Sequence, residues 1–132
     1  MVLCDHPEKL YKNFKQNCED KDLAFGYVIA QITVNDPDTY AGYIKMVLPT
    51  IEHFGGAFIV RGGRSVSYEG TPPGDRNVVI QFPSFEAAHA WYHSKEYAQA
   101  KSVRMSASSS VQTIVEGLWD PDFNFKLAVF AA

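Results

Sequence analysis

No apolar run in the sequence approaches the roughly 20 residues that a membrane-crossing helix needs, which removes a helical membrane anchor from its expected parts. The first residues, MVLCDHPEK, lack the charged and then apolar order of a signal peptide. Cysteine is scarce. Cys4 and Cys18 are too few for a disulfide framework, and the expected compartment is the cytoplasm with both as free thiols. Basic charge is not gathered anywhere: 12 Lys and Arg are scattered among 15 Asp and Glu, for a net charge of -3, so no stripe is available to phosphate backbones and nucleic acid is not an expected partner. Internal repeats and low-complexity stretches are also missing.

What the sequence does hold is core material. Hydrophobic residues make up 46% and aromatics 14% of 132 residues, against 20% charged. A chain of this size folds as one domain and buries roughly two thirds of its unfolded surface without metal or disulfide staples.

Periodicity and punctuation predict the elements. Pro7 to Cys18 reads as a short amphipathic helix. Gly26 to Val34 (GYVIAQITV) alternates as a strand, and NDP follows, where Asn35 or Asp36 caps a helix with Pro37 in its first turn. That helix runs to about Phe54, with Tyr40, Ile44, Val47, Leu48 and Ile51 in one stripe, a kink expected at Pro49 and a left-handed cap at Gly55-Gly56. Ala57 to Arg61 is a second strand, Gly62-Gly63 bends it, Ser65 to Glu69 stays extended and TPPGD turns. Arg76 to Phe82 is the third strand. A helix follows from Phe85 to Tyr92, restarts behind Ser94 as N-cap and runs to about Met105. Ser106 to Ser110 reads as loop, Val111 to Gly117 as the last strand, and residues 118 to 132 as an apolar tail that packs rather than faces water.

The order βαββαβ predicts an α+β, ferredoxin-like sandwich with its helices on one face of the sheet. Alternation divides the strands into two sets. Val28, Ala30, Ile32, Val34, Phe58, Val60, Val78, Ile80, Phe82, Val111, Thr113 and Val115 form the apolar set, expected under the helices. Tyr27, Ile29, Gln31, Ile59, Arg61, Val79, Gln81, Gln112, Ile114 and Glu116 form a mixed set, too apolar for water and too polar for a dry core. A face of that kind meets a second sheet, and a two-fold homodimer making an α+β barrel is the expected arrangement. The competing arrangement is a monomer whose tail or N-terminal helix covers the face.

Several motifs then agree in order and spacing. GYVIAQITVNDPDTY, FGGAFIVRGG, the pair Glu69-Gly70, Arg76 before VVIQFPSFEAAHAWYHSKEY, Arg104 and the closing VEG resemble the DUF1330 family of small ferredoxin-like, dimeric α+β barrel domains. The resemblance spans Gly26 to Gly117, with residues 1–25 as an N-terminal extension and 118–132 as a C-terminal one. It implies the fold, and it places Arg61, Glu69, Arg76, Trp91, Tyr92, Tyr97, Arg104 and Glu116 on positions that the family pattern marks. It implies no assigned activity.

The candidate ligand-binding set is therefore Arg61, Glu116, Gln31 and Gln81 from the mixed face, with Glu69, Arg76, Trp91, Tyr97 and Arg104 from the resemblance. Arg61 and Glu116 either form a structural pair or serve a ligand, because an ionised group in an inter-sheet space needs a partner. The expected ligand is a small anionic or carbonyl-bearing molecule. A cofactor-free enzyme of lyase, isomerase, cyclase or monooxygenase type is the alternative, and a purely structural interaction module a further one. His89 and His93 have metal-ligand spacing, yet no third ligand accompanies them, so neither metal nor cofactor is expected.

Overall fold

The computed structural model describes residues 24–118. The N-terminal helix expected at residues 7–18, Cys4, Cys18 and the apolar tail from Trp119 lie outside them. Within them the elements are β1 (Gly26–Val34), α1 (Pro37–His53), β2 (Ala57–Arg61), β3 (Arg76–Phe82), α2 (Phe85–Tyr92), α3 (Lys95–Ala107) and β4 (Ser108–Glu116). The strands form one antiparallel sheet in the order β2-β3-β1-β4, the ferredoxin-like arrangement.

Local chemistry sets the helix ends. Asp36 caps α1 by accepting from the Thr39 amide at 3.2 Å, and Pro37 occupies the first turn where its missing N–H costs nothing. Ser84 and Ser94 cap α2 and α3 in the same way, at 3.0 and 3.1 Å from the amides of Ala87 and Tyr97. Helix α1 continues through Pro49 and stops before Gly55, whose φ of 79° is the left-handed conformation that glycine adopts without penalty. Its buried stripe is Tyr40, Tyr43, Val47 and Ile51; Leu48, expected inside, is exposed, and Tyr43 takes its place.

The helices cover one face. Val28, Ala30, Ile32, Val78, Ile80 and Phe82 are buried on it, packed with Tyr40, Tyr43, Val47, Ile51, Ala88, Trp91, Tyr97 and Ala100 into one core. Two strands depart from the expected phase. In β2, Phe58 lies opposite Ile80 but Val60 opposite Val79, so a bulge inserts one residue and brings Arg61 opposite Val78, onto the helix side. In β4, Gln112 lies opposite Ala30 and Ile114 opposite Val28, which puts these members of the mixed set on the helix side and Val111, Thr113 and Val115 on the open face. Glu116 follows the same parity, opposite Gly26.

The stretch Ser108–Ser110, expected as loop, is the start of β4. It pairs with Val34, Thr33 and Ile32, and α3 runs into it without a connecting segment. The Ala107 carbonyl at this junction accepts from the amides of Asn35 and Asp36 at 2.8 and 3.0 Å, tying the two helix–strand corners together. By contrast, residues 65–69, expected to stay extended, lie in the long connection between β2 and β3 and pair with no strand. Among the described residues no helix is long and apolar enough to cross a membrane.

Candidate functional site

The bulge in β2 brings two arginines together. Arg76 lies opposite Ile32 and Arg61 opposite Val78, both on the helix side, so the two are diagonal neighbours about 7–8 Å apart at the backbone. Gly62 shapes their meeting. Its φ of 69° turns the chain out of the strand, and a side chain there would collide with the Arg76 guanidinium. The glycine after Arg61 therefore leaves room for a second cation.

Both arginines line a narrow space between the sheet and α1, of about 20 Å³, whose other walls include Tyr40, Phe58, Val78 and Trp91. Aromatic faces support them: the Arg61 guanidinium lies 4.5 Å from the centre of the Phe58 ring and that of Arg76 lies 5.6 Å from the centre of Tyr40. A cation–π contact engages the flat face of a guanidinium and leaves its N–H edges available. The Arg76 Nε is buried and has no hydrogen-bond acceptor among the described residues. The ion pair that those residues do form, His53 Nε2 to Glu96 Oε2 at 3.5 Å, lies elsewhere on the surface. Among the described residues no carboxylate pairs with either arginine, so the two guanidiniums present N–H donors that an anion could engage.

Behind this mouth lies a third arginine in a different state. Arg104 is 3% exposed. Its Nε donates to the Tyr97 hydroxyl at 3.1 Å and its Nη1 to the Ser110 hydroxyl at 2.9 Å. With its carbonyl oxygen turned to the guanidinium, Gln112 accepts from Nη1 at 3.0 Å and Nε at 3.3 Å. Burial works against the charge of Arg104, but the oxygens of Tyr97 and Tyr43 outweigh it and hold the group cationic. Tyr97 shares a hydrogen bond of 3.2 Å with Tyr43 and stacks on Trp91 with ring centres 4.1 Å apart, while the Trp91 indole donates to the Thr50 hydroxyl at 3.0 Å. Burial, and then the proximity of Tyr97, push the Tyr43 phenol far above its ordinary pKa.

The nine expected residues thus divide among five places. Arg61 and Arg76 form the mouth, with Trp91 at its back wall. Tyr97 and Arg104 belong to the internal network. Gln31 and Gln81 lie on the open face, where the Gln31 amide donates to Asn77 at 3.2 Å and Gln81 accepts from the Tyr27 hydroxyl at 3.3 Å. Glu69 is exposed in the connection between β2 and β3, and Glu116 is exposed at the end of an edge strand. Arg61 and Glu116 do not share an inter-sheet space, as the alternation had suggested. They lie on the two outermost strands with β3 and β1 between them, roughly 14 Å apart across the sheet, too far for a pair.

Tyr40, Phe58 and Gln112 complete the site. Tyr40 was legible as part of a buried helical stripe, but neither its cation nor the helix-side position of Gln112 had a sequence signal. His89 and His93 stand with ring centres 4.5 Å apart, and among the described residues no group of three or more His, Cys, Asp or Glu gathers where a metal would sit.

Comparison with known proteins agrees with the fold. A family model described as Domain of unknown function (DUF1330) matches residues 25–118. The crystal structure of RPA0582, a protein of unknown function from Rhodopseudomonas palustris, superposes with a TM-score of 0.61 at 17% identity, covering 84% of this chain and 93% of that one. A methylated form of RPA0582 gives 0.58 at 18% identity, over 84% and 91% of the two chains. SnoaB, a cofactor-independent oxygenase from Streptomyces nogalater, is more distant, with a TM-score of 0.43 at 12% identity over 70% and 91%. No curated protein matches the chain.

Proposed function

The chain belongs to the DUF1330 family, a domain of unknown function, and from that premise we propose that it binds a small anionic or carbonyl-bearing molecule at the Arg61–Arg76 mouth. The buried Arg76 Nε, without an acceptor among the described residues, is the observation that carries this reading. A donor of that kind costs on the order of 1–3 kcal/mol when left unmade, and an oxygen of a ligand placed against Arg76, within reach of Arg61, satisfies it. Aromatic support from Phe58 and Tyr40 holds both guanidiniums ready, which lowers the ordering cost of binding.

The test is thermal protection by pyruvate and benzoate, together with mass spectrometry of molecules that co-purify. Arg61→Ala and Arg76→Ala should leave the unliganded protein close to native stability and abolish protection, which for a bound anion follows RT ln(1 + [L]/Kd). Full protection of both variants overturns the reading, as does a large loss of unliganded stability with protection intact.

The open face gives the proposed partner. Ile29 is 44% and Val111 55% exposed there, beside Val79 and Val115. A second copy of the chain laid sheet to sheet would cover them, in the cytoplasmic setting expected from the sequence. Light scattering at micromolar concentration that finds only a 14.8 kDa species contradicts the homodimer.

A further inference from the structure

We infer that the tail segment 123–130, outside the described residues, adds a fifth strand to the sheet, antiparallel to the free edge of β4, and that Phe125 and Leu127 close the groove beside Ile114 and Tyr92.

The two edges of the sheet differ. β2 has five residues, a bulge between Phe58 and Val60, and at its end Arg61 and the left-handed Gly62, all features that discourage a further strand. β4 has nine residues in unbroken register with β1, without proline or lysine, and its single charge is the last residue, Glu116. An edge of that length and composition invites pairing, and native folds cover it.

The ladder shows which groups are free. The Gly117 amide donates to the Phe25 carbonyl at 2.7 Å. By antiparallel alternation Val115, Thr113 and Val111 also turn their backbone groups toward β1, while Glu116, Ile114, Gln112 and Ser110 turn theirs outward. Among the described residues no strand lies beyond them. On the helix side the same edge borders a groove of about 280 Å³ lined by Val28, Tyr92, Gln112 and Ile114. Unpaired backbone beside a largely apolar groove calls for a strand whose alternate residues are apolar.

The tail has that pattern. After the turn residues Asp120, Pro121 and Asp122, Phe123, Phe125, Leu127 and Val129 alternate with Asn124, Lys126, Ala128 and Phe130, over the same length as Ser109–Glu116. The chain leaves β4 at the corner where such a return begins, so residues 117–122 suffice as the connection. The N-terminal segment fits less well, because Pro7 to Cys18 has helical spacing and offers no ladder. Charge selects the register. With Phe123 opposite Glu116, Phe125 meets Ile114 and Leu127 meets Gln112 on the helix side, while Lys126 lies beside Thr113 on the open face. A shift of one residue in either direction sets Lys126 in the groove, against Ile114 or against Gln112, whose carbonyl the Arg104 cation engages.

Amide hydrogen exchange followed by NMR on the full chain tests this. The amides of Ser110, Gln112 and Ile114 should exchange at least about a hundredfold slower than in Leu127→Pro, which removes a donor from the middle of the added strand. The Hα protons of Thr113 and Lys126 should lie in close contact, as in a non-hydrogen-bonded pair with Cα atoms about 4.5 Å apart. That contact is measured on the native chain, so it stands even if the proline variant folds poorly. In a sample mixed from isotope-labelled and unlabelled chains it should arise within one chain. A contact found only between chains gives the edge to the tail of a second copy and overturns the inference. Protection that Leu127→Pro leaves unchanged, as when β4 pairs with β4 of another copy, also overturns it, and so does fast exchange of all three amides in the native chain.

Discussion

On the helix side of the sheet, polar groups are bound in depth: Arg104 reaches Tyr97 and Ser110, Tyr97 reaches Tyr43, and Trp91 reaches Thr50. On the open side they are bound sideways, Gln31 to Asn77 and Tyr27 to Gln81, each across neighbouring strands and within the face. The first arrangement joins the helices to one another and, through Ser110, to a strand, and is part of folding. The second joins strands already joined and leaves Ile29, Val111 and Val115 between the polar pairs, half in water. A polar group in the core must be satisfied by the fold itself, whereas one on the open face is satisfied by a neighbour or by solvent and leaves the surface free to meet something else.

Large-to-small substitution should separate the faces most. Trp91→Ala, at a site 1% exposed, should cost about 3–5 kcal/mol in denaturant unfolding. Ile29→Ala should cost less than about 1 kcal/mol within one subunit. Similar losses at both sites would show that the open face is as much core as the other.

Removing the buried cation comes next. Arg104→Met strands the Tyr97 and Ser110 hydroxyls and should cost roughly 3 kcal/mol, the scale of hydrogen bonds made by a charged group. Gln31→Leu, on the open face, should be close to neutral, and the double variant Arg104→Met with Gln112→Leu should recover part of the loss. A neutral Arg104→Met would mean that the network is decorative.

Alkaline titration gives a smaller effect confined to the helix side. A phenol whose folded pKa is raised contributes stability that is fully present below the ordinary value of 10.0 and is lost as pH rises above it toward the folded value. The unfolding free energy should therefore fall above pH 10, and Tyr43→Phe should flatten that limb. An unchanged slope in the variant would assign it to other groups.

The smallest effect is expected at the first cap of α1. The Thr39 hydroxyl, and then its amide, hold the Asp36 carboxyl below its ordinary value of 3.8. Stability from this lowered pKa is present above that value and lost as pH falls through the folded one. Asp36→Asn keeps an acceptor but not the titration, so its melting temperature should fall less than that of the native chain between pH 4 and 2. Parallel curves would remove Asp36 from the acid limb.

These effects also mark how far the sequence could be read. Element types and most boundaries were legible, because Asp36, Pro37, Ser84, Ser94 and Gly55 act on backbone within a few residues of themselves. Of the candidate site, Arg61 and Arg76 were legible as residues, but their meeting was not. Arg61 carries no local mark of a bulge two residues before it, and the Ser108–Ser110 run reads as loop until β1 is there to pair with it.

By itself, then, the sequence determined the βαββαβ order, the caps, the apolar faces of β1 and β3 and the absence of any long apolar span. Those depend on propensity, capping and alternation, interactions that reach no more than a turn or a few strand residues. Only the tertiary structure decided which face β4 shows and where Arg61 points. Period-two alternation specifies that the faces differ but not which one turns inward, and a distant partner makes that choice. In β4 the partner is Arg104, whose buried charge draws Ser110 and Gln112 beneath the helices and leaves the valines outside. In β2 it is the pairing with β3, where one inserted residue turns Arg61 from the open face toward Arg76.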